Sequence, residues 1–227
     1  MVHLKEIVLD IESTGLDFKQ GDKIIEIGCI ELIDKIKTNN YFHTYINPKK
    51  IISQGAYKIH GISNEFLKKE PLFSDIAQKF YSFIENSRLV IHNANFDMGF
   101  INNEFQLVGM KKISMSNVID TLKIARKKFP GSAVNLNALC KRFNISLDMR
   151  TKHGALIDAE LLAIVYKELM SAEQTKFDFR SSISDNTKYT VTADTFPKRT
   201  FVLSDSEYQL HNQMLKDISK PLWKSII

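Results

Sequence analysis

The amino-acid sequence predicts an α/β fold with a mixed central sheet and helices on both faces, followed by a flexible C-terminal extension. Three β-rich segments joined by short polar connections open the chain, and segments that alternate between strand and helix periodicity follow them. The composition changes after Met170, because all nine glycines lie at or before Gly154 and the next residues are polar with little apolar periodicity. We therefore expect residues 1–170 to form the folded domain.

Apolar and β-branched runs predict the strands of the sheet. They lie at Leu4–Ile11, Ile24–Ile33, Tyr41–Ile46, Arg88–Asn93 and Asn117–Thr121. A polar turn over Lys37–Asn40 is expected between the second and third strands. Because the first three strands follow one another through short connections, we expect them to form an antiparallel meander.

Apolar residues spaced three and four apart predict helices between and after these strands. Ser63, Ser74 and Asn135 are the expected N-caps of three of them. Further helices are expected at Phe96–Val108, at Leu122–Phe129 before Pro130, and from about Gly154 to Met170.

Composition and charge limit the possible functions. The formal net charge of +5 and the isoelectric point near 9.0 weakly favour a polyanionic partner. No run approaches the roughly 18 apolar residues that span a bilayer, and the first residues lack the pattern of an export signal. Cys29 and Cys140 each stand in an apolar run, which indicates buried thiols rather than a disulfide or a metal pair. We expect a cytoplasmic protein without a membrane partner.

Acidic residues next to apolar elements are the candidates for chemistry. Asp10 and Glu12 alternate along the first strand, so both side chains project from the same face of the sheet. Asp97 stands in the first turn of the helix after a buried strand, and Asp158 stands inside the last core helix. Taken singly, each acid has an ordinary explanation: a solvated strand end, a solvated helix face, or a helix macrodipole that stabilises it by about 0.3–1 kcal/mol.

Taken together, the four acids indicate a metal site. Carboxylates that converge in an apolar core require a cation, and hard oxygen ligands suit Mg²⁺ or Mn²⁺. Two such ions can stabilise the attacking and leaving oxygens of a phosphoryl displacement. His153, just before the last core helix, could take the proton of the attacking water as a neutral imidazole. The combination predicts metal-assisted cleavage of a phosphodiester.

The candidate residues occur in a characteristic order. Asp10-x-Glu12, then Asp97, then His153 five residues ahead of Asp158 resembles the histidine-type DEDD 3′–5′ exonuclease superfamily, which implies a ribonuclease H-like fold. The segments VLDIESTGL, DKIIEIG, LVIHNANFDMGF and RTKHGALIDAELLAIVY resemble the epsilon, or proofreading, subunits of bacterial DNA polymerase III. The resemblance implies removal of mismatched nucleotides from a single-stranded or frayed 3′ end of DNA, with release of nucleoside 5′-monophosphates.

The resemblance also implies roles within the site. Asp10, Glu12 and Asp158 would bind two divalent ions, Mg²⁺ or Mn²⁺, directly, and Asp97 would hold the second ion. His153 would be the general base for the attacking water. Asp10, Glu12 and Asp158 would also contact the substrate.

Two further segments would contact the terminal nucleotide. The loop that contains Thr14 would lie along it, and His60 would contact it, with Gly55 nearby. Relatives often carry an acid where this chain has Gly55, and a glycine can offer only its backbone. The roles of His92 and Asn93 stay open: each could contact the substrate or support the site from behind, and core packing is favoured for His92.

The first part of the extension is expected to be a linker, residues 171–200. Within it Gln174, Phe177 and Phe179 resemble the short peptide by which replication proteins dock into a sliding clamp. A glutamine followed by two aromatic residues also occurs by chance, so the position just after the nuclease domain is what favours this interpretation.

The last part, residues 201–227, is similar to the segment by which this family binds the polymerase catalytic (alpha) subunit. A short helix capped by Ser204 and an aromatic anchor at Trp223 suit docking on a partner surface, and a frayed terminus is the alternative. The resemblance further implies a small theta-type subunit, where one is present, and a place in the replisome of the bacterial cytoplasm.

Two other functions fit parts of the sequence. An exonuclease of the same superfamily that trims RNA ends would share the acids and the histidine, but it would gain nothing from a clamp peptide or a polymerase-binding tail. A non-catalytic interaction subunit would be expected to lack at least one acid or the histidine, and all five residues are present.

Overall fold

The computed structural model describes residues 4–147, 153–174 and 204–219 of the chain. Its strands are β1 (Lys5–Ser13), β2 (Ile24–Ile33), β3 (Ile36–Tyr45), β4 (Arg88–Ile91) and β5 (Val118–Asp120). They form one mixed sheet in the order β3-β2-β1-β4-β5. β1, β2 and β3 pair antiparallel, whereas β4 and β5 extend the sheet parallel to β1. The predicted mixed sheet and its opening meander are confirmed.

Eight α-helices lie between and after these strands in the described parts of the chain. They are α1 (Gln54–His60), α2 (Asn64–Leu67), α3 (Phe73–Ile84), α4 (Ala94–Leu107), α5 (Thr121–Lys128), α6 (Leu136–Arg142), α7 (Ala155–Gln174) and α8 (Asp205–Asp217). The N-caps expected at Ser63 and Asn135 are confirmed: Ser63 Oγ accepts from the Phe66 N–H at 3.1 Å, and Asn135 Oδ1 accepts from the Ala138 N–H at 2.8 Å. These bonds satisfy backbone donors that have no partner within their own helix.

Helices pack on both faces of the sheet, as the sequence predicts. Leu9 of β1 belongs to an apolar cluster with Phe80 of α3 and Phe105 of α4, whose rings stack at 5.6 Å between centroids. Val8 points to the opposite face and packs with Tyr166 of α7. Each side chain buried in this way stabilises the fold by roughly 1.5–3 kcal/mol relative to an exposed one. Because successive residues of a strand face opposite sides, β1 is the central wall of both clusters.

The reversal between β2 and β3 differs from the sequence prediction. It lies at Asp34 and Lys35, which have φ of +52° and +66°, and not at Lys37–Asn40. Two-residue hairpin loops with positive φ at both positions match the twist of the flanking strands. The polar residues taken for a turn lie within β3, where Thr38 Oγ1 donates to Glu31 Oε1 at 2.9 Å.

Two helix starts also differ from the prediction. α3 begins at Phe73, with Leu72 as its N-cap residue, and the Asp75 carboxylate accepts from the Leu72 N–H at 2.9 Å, so the expected cap at Ser74 is wrong. α4 begins at Ala94 directly after Asn93, whose φ of +71° allows an abrupt change from strand to helix. The predicted start at Phe96 is therefore two residues late.

α1 is an element that the sequence analysis did not predict. It contains Gly55, and Ser53 caps it by accepting from the Ala56 N–H at 3.2 Å. Its seven residues are too few to show a helical period, which explains the omission.

The chain divides into two units, residues 1–177 and residues 178–227. In the first, α7 continues to Gln174, four residues beyond the predicted domain end at Met170. In the second, Ser204 caps α8 as predicted, and the Ser204 N–H donates to Glu207 Oε2 at 2.9 Å.

Phe177, Phe179 and Trp223 and the side chain of Gln174, all expected to bind partners, lie outside the described part of the chain, so these contacts and the domain boundaries in the extension stay predictions. None of the helices in the described parts of the chain combines the length and apolarity that are needed to cross a bilayer.

Candidate active site

The carboxyl ends of three strands meet at one edge of the sheet, because β1, β4 and β5 run parallel. Asp10 and Glu12 lie near the end of β1 and are partly buried. Both lie on the face of β1 that α7 covers, since Val8 of the same alternating set packs against α7. The first two predicted acids therefore project toward the helix that carries Asp158.

α7 brings the next two residues to the same place. Asp158 lies in the first turn of α7 and is only 3% exposed. Oδ2 of Asp158 lies 3.1 Å from Nδ1 of His153. One ligand atom from each of Glu12, His153 and Asp158 lies within 4.8 Å of the other two. The structure thus assembles two carboxylates and an imidazole from segments that are far apart in sequence.

The contact with Asp158 orients the imidazole of His153. A proton on Nδ1 can be donated to the carboxylate, which leaves the lone pair of Nε2 available to accept a proton. The backbone N–H of His153 also donates to the carbonyl of Ile59 in α1 at 3.4 Å. The ring itself stays 43% exposed, so a water molecule can reach it.

Asp97 lies in the first turn of α4 and is 3% exposed. Burial raises its pKa to about 8, the nearby Asp120 carboxylate adds to this, and backbone hydrogen bonds at Asp97 and Ile11 oppose it. The hydrogen bond with the Ile11 backbone holds the Asp97 carboxyl against β1, at the residue that lies between Asp10 and Glu12. A buried acid whose ionised form is disfavoured is the kind of group that a divalent cation stabilises.

Asp10 and Asp97 lie at the same sheet edge but outside the tight group. Among the described residues, that group contains Glu12, His153 and Asp158. The oxygen donors of all four acids are hard ligands, and this donor set fits Mg²⁺ or Mn²⁺ better than zinc.

Gly28 explains how α7 comes so close to the sheet. It pairs with Asp10 across the β1–β2 ladder, and a Cβ atom there would lie 2.3 Å from the backbone of Ala155 and Leu156. Only a residue without a side chain allows this approach. The sequence analysis missed Gly28, although a glycine inside an apolar strand is a recognised sign of close backbone contact.

A cleft of about 590 Å³ opens beside the carboxylates. Glu12 is one of its lining residues, and its sides come from the loop after β1 and from α1. Leu16 of the loop is 81% exposed and Ile59 of α1 is 50% exposed, although both line the cleft. Exposed apolar side chains beside an acidic centre suit the flat face of a base, and neither residue was singled out from the sequence.

The predicted substrate residues are distributed unevenly around this cleft. Gly55 and His60 line it, and the space around Gly55 is open. His60 is 4% exposed, and its Nδ1 accepts from the Ile62 N–H at 3.0 Å. Thr14 is fully buried behind the cleft wall, where its hydroxyl donates to Asp22 Oδ1 at 3.1 Å. Gly15, the next residue, lines the cleft in its place.

His92 connects β4 with α5. Its Nδ1 lies 3.0 Å from the hydroxyl of Thr121. Burial lowers the pKa of His92, Arg126 adds to this, and Asp120 and a hydrogen bond to the Val134 backbone oppose it. These contacts agree with the packing role favoured for His92. Cys29 and Cys140 are both buried, as predicted.

Comparison with known proteins gives two consistent results. The family model described as Exonuclease matches residues 7–166. The DNA polymerase III subunit epsilon of Rickettsia conorii is 46% identical over 227 residues, which cover 97% of this chain and 99% of that protein. The subunit of the same name from Buchnera aphidicola subsp. Baizongia pistaciae is 42% identical over 227 residues, covering 95% of this chain and 93% of that protein.

Solved structures show the same fold. Exonuclease X, in complex with 5′ overhanging duplex DNA, superposes with a TM-score of 0.60 at 26% identity, covering 74% of this chain and 93% of that one. The nuclease domain of 3′hExo, a DEDDh family member bound to rAMP, gives a TM-score of 0.65 at 18% identity, covering 75% of this chain and 93% of that one.

Proposed function

Since this chain belongs to the exonuclease family and, within it, to the epsilon subunits of DNA polymerase III, we propose that it is the proofreading 3′–5′ exonuclease of a replicative polymerase. It hydrolyses the terminal phosphodiester of a DNA strand and releases nucleoside 5′-monophosphates. The observation that carries this proposal is the convergence of Glu12, His153 and Asp158 within 4.8 Å beside an open cleft.

Four carboxylates would hold the divalent ions. Asp10, Glu12 and Asp158 would be direct ligands, and Asp97 would hold the second ion, whose charge would offset the cost of ionising this buried acid. When bound, two Mg²⁺ or Mn²⁺ ions supply the positive charge that stabilises the attacking and leaving oxygens of phosphoryl displacement. Asp10, Glu12 and Asp158 also contact the scissile end of the substrate through this arrangement.

His153 is the general base. Asp158 holds the imidazole through Nδ1, and Nε2 takes the proton of the attacking water. The carboxylate stabilises the imidazolium that forms when the proton is taken, as a buried acid does for other catalytic histidines. Because the ring is partly exposed, it can then release the proton to solvent.

The cleft receives the terminal nucleotide. Leu16 and Ile59 offer apolar contacts to the base, while Gly55 and His60 line the same space. Thr14 supports the wall from behind, so its contribution to substrate binding comes through the position of the Gly15 backbone. Apolar contacts accept any of the four bases.

Selectivity for errors then comes from the DNA. The site needs an unpaired 3′ end, and extracting a base costs a few kcal/mol, least for a mismatched one. A mismatched terminus therefore reaches the cleft more often than a paired one, without any pocket that reads the base.

The C-terminal extension tethers this nuclease to its partners. The polymerase alpha subunit binds residues 201–227, the sliding clamp binds the peptide with Gln174, Phe177 and Phe179, and Trp223 anchors the tail. A theta-type subunit, where present, completes the assembly in the cytoplasmic replisome. The names of the relatives support an association with DNA polymerase III.

The activity is tested with a 3′-mismatched DNA primer and Mg²⁺. We expect the parent protein to shorten the primer, Asp10→Ala to be inactive, and His153→Ala to be slower by about 10²–10⁴-fold. Glu160→Ala is the matched control, because Glu160 is an exposed acid of α7 that pairs with Lys37 instead. No shortening by the parent protein, or full activity in Asp10→Ala, would contradict the proposal.

A further inference from the structure

The cleft beside the carboxylates has two walls that come from separate parts of the chain. One wall is the end of β1 and the loop Thr14–Asp17 after it, and the other is α1, which begins after Ser53. The walls are joined near their base, where the Ser53 N–H donates to the Thr14 carbonyl at 2.9 Å. Any group that fixes the loop against the segment before α1 therefore sets the width of the cleft.

Asp22 makes such a connection. Its Oδ1 accepts from the Thr14 hydroxyl at 3.1 Å and from the Lys50 ammonium at 2.7 Å, and its Oδ2 accepts from the Asp17 N–H at 3.1 Å. A Cβ atom on Gly15 would lie 2.3 Å from the same carboxylate. One side chain thus bonds to the loop at Thr14 and Asp17, lies against Gly15 between them, and reaches the opposite segment through Lys50.

The carboxylate of Asp22 is ionised in this position. Burial alone would raise its pKa, but the hydrogen bonds from Lys50, Asp17 and Thr14 and the charge of Lys50 outweigh burial and lower the pKa. Hydrogen bonds to a charged acceptor are stronger than those between neutral groups. The contacts are therefore suited to holding the loop in one position.

We propose that Asp22, paired with Lys50, is a positioning residue that fixes the two cleft walls at the separation that receives the terminal nucleotide. The inference rests on the proposed exonuclease function, because it assigns that nucleotide to the cleft. Asp22 acts through the Thr14–Asp17 loop and through Lys50, and it does not touch the reacting phosphate.

If Asp22 acted only through its charge, a substitution would change KM in the opposite direction. The direction of the change in KM therefore tests the proposal. DNA is a polyanion, so removing a negative charge from the cleft should strengthen binding and lower KM. If Asp22 positions the walls, Asp22→Asn raises KM instead, because one amide oxygen cannot replace both carboxylate oxygens.

The first experiment is steady-state cleavage of a single-stranded oligonucleotide by the full-length protein with Mg²⁺. We expect Asp22→Asn to raise KM about tenfold, as loss of hydrogen bonds to a charged group would, with a much smaller change in kcat. Asp17→Asn is its matched control. Asp17 lines the same cleft and carries the same charge, but among the described residues its carboxylate accepts from Lys19 and Gln20 of its own turn and not from the opposite wall, so this variant should lower KM.

Lys50→Met tests the link between the walls without disturbing the loop. We expect KM to rise about threefold, because the contacts of Asp22 with Thr14 and Asp17 remain. Lys49→Met removes the same charge from a neighbouring exposed position and should raise KM less. The double variant Asp22→Asn/Lys50→Met should exceed Asp22→Asn in KM by no more than Lys49→Met exceeds the parent, since both changes break one ion pair and only the charge effect of the lysine remains.

A second measurement separates this inference from the proposed function. The affinity for a nucleoside 5′-monophosphate, measured by calorimetry, should fall in Asp22→Asn by the same factor by which KM rises. This affinity does not depend on turnover, so it tests the role of Asp22 even if the parent protein fails to degrade DNA. Such a failure would overturn the proposed exonuclease activity but not the positioning role.

Two results would overturn the positioning role. The first is a KM for Asp22→Asn that is unchanged or lowered, as in Asp17→Asn, with unchanged monophosphate affinity. The second is a fall in kcat alone. If Asp22→Asn does not fold, equal KM values for Lys50→Met and Lys49→Met would overturn it as well.

Discussion

Buried acids in this protein differ in their hydrogen-bond partners. Glu6 of β1 is fully buried; its Oε1 accepts a hydrogen bond from the Tyr166 hydroxyl at 2.9 Å, whereas its Oε2 has no partner among the described residues. Asp97 is almost as buried, and burial raises its pKa to about 8 although two backbone hydrogen bonds lower it. Both acids are costly to bury, but Glu6 connects the centre of the sheet to α7, whereas Asp97 is the acid that would hold a cation in the proposed site.

The cost of Asp97 should appear in the pH dependence of stability. Between the ordinary pKa of 3.8 and the raised value of about 8, the folded chain holds a proton that the unfolded chain has released. The free energy of unfolding of the metal-free protein therefore falls as pH rises through this window. In Asp97→Asn the contribution disappears, and the Tm at pH 8 should exceed that of the parent by on the order of 5 °C.

Thermal melting in a chelator, across this pH range, measures the effect. Glu160→Gln, which changes an exposed acid of α7, should follow the parent profile. If Asp97→Asn keeps the same slope as the parent, burial of Asp97 is not the cause of the decline.

Tyr166→Phe should destabilise the protein. It removes the hydroxyl that bonds to Glu6 and leaves a fully buried carboxyl with one donor fewer, which costs about 1–3 kcal/mol. Chemical denaturation gives the change in the free energy of unfolding. Tyr208→Phe on α8 is the control, since Tyr208 is 47% exposed and should change stability little. An equal loss in both variants would argue against the buried bond.

At the scale of elements, the start of α7 determines the site. This helix lies on β2 at Gly28, carries Asp158 in its first turn and begins two residues after His153. A displacement of its first turn would therefore move Asp158 and the proposed general base together. The position of one helix end sets the geometry of two of the proposed catalytic groups.

Gly28→Ala should separate this end of α7 from the sheet. The added methyl group would meet the backbone of Ala155 and Leu156, which cannot rotate away as a side chain can. We expect a loss of about 1–3 kcal/mol in stability and a fall in kcat, measured by denaturation and by primer shortening. Gly55→Ala is the stability control, because nothing lies within 4 Å of its added Cβ. Wild-type kcat in Gly28→Ala would show that α7 does not need this contact.

The elements that were predicted correctly are those whose pattern is local. The alternation of Asp10 and Glu12 along a strand, and the caps at Ser63 and Asn135, follow from spacing and residue type alone. The hairpin at Asp34 was missed because polar residues on an exposed edge strand look like a turn. Their side chains bond to β2, which only the folded sheet reveals.

The part of the site that escaped prediction depends on contacts between distant segments. Leu16 is an ordinary leucine in a loop until α1 lies opposite it, and α1 itself is too short to show a period. Asp22 looks like a solvated acid next to a glycine until Lys50 and the Thr14 loop close around it. Spacing identifies ligands on regular elements, but it does not show which loops form a wall.

At the scale of the whole molecule, the division between the two units matters most. Residues 1–177 contain the sheet, the acids and the cleft, and residues 178–227 contain α8. The exposed apolar side chains of α8, Tyr208, Leu210 and Met214, are suited to burial against a partner. We therefore expect catalysis and polymerase binding to be separable.

A chain that ends at Phe177 should keep its activity on single-stranded DNA and lose its complex with the polymerase alpha subunit. The cut falls at the division between the units and leaves α7 whole, whereas a cut after Met170 would remove the last turn of the helix. Primer shortening and gel filtration with the alpha subunit measure the two properties. Undiminished complex formation would contradict the docking role of the tail, and lost activity would contradict the boundary.

The placement of the catalytic groups has a consequence for the protein during its synthesis. Asp10 and Glu12 leave the ribosome long before His153 and Asp158, which lie just before and within α7, the last helix of the nuclease unit. A nascent chain can pair β1 with β2 and β3 while α7 is still inside the exit tunnel. Such a chain lacks His153 and Asp158, so on the proposed mechanism we expect it not to cut nucleic acid near the translating ribosome. We therefore expect the nuclease unit to become active only when α7 docks, which would make completion of the fold the switch for catalysis.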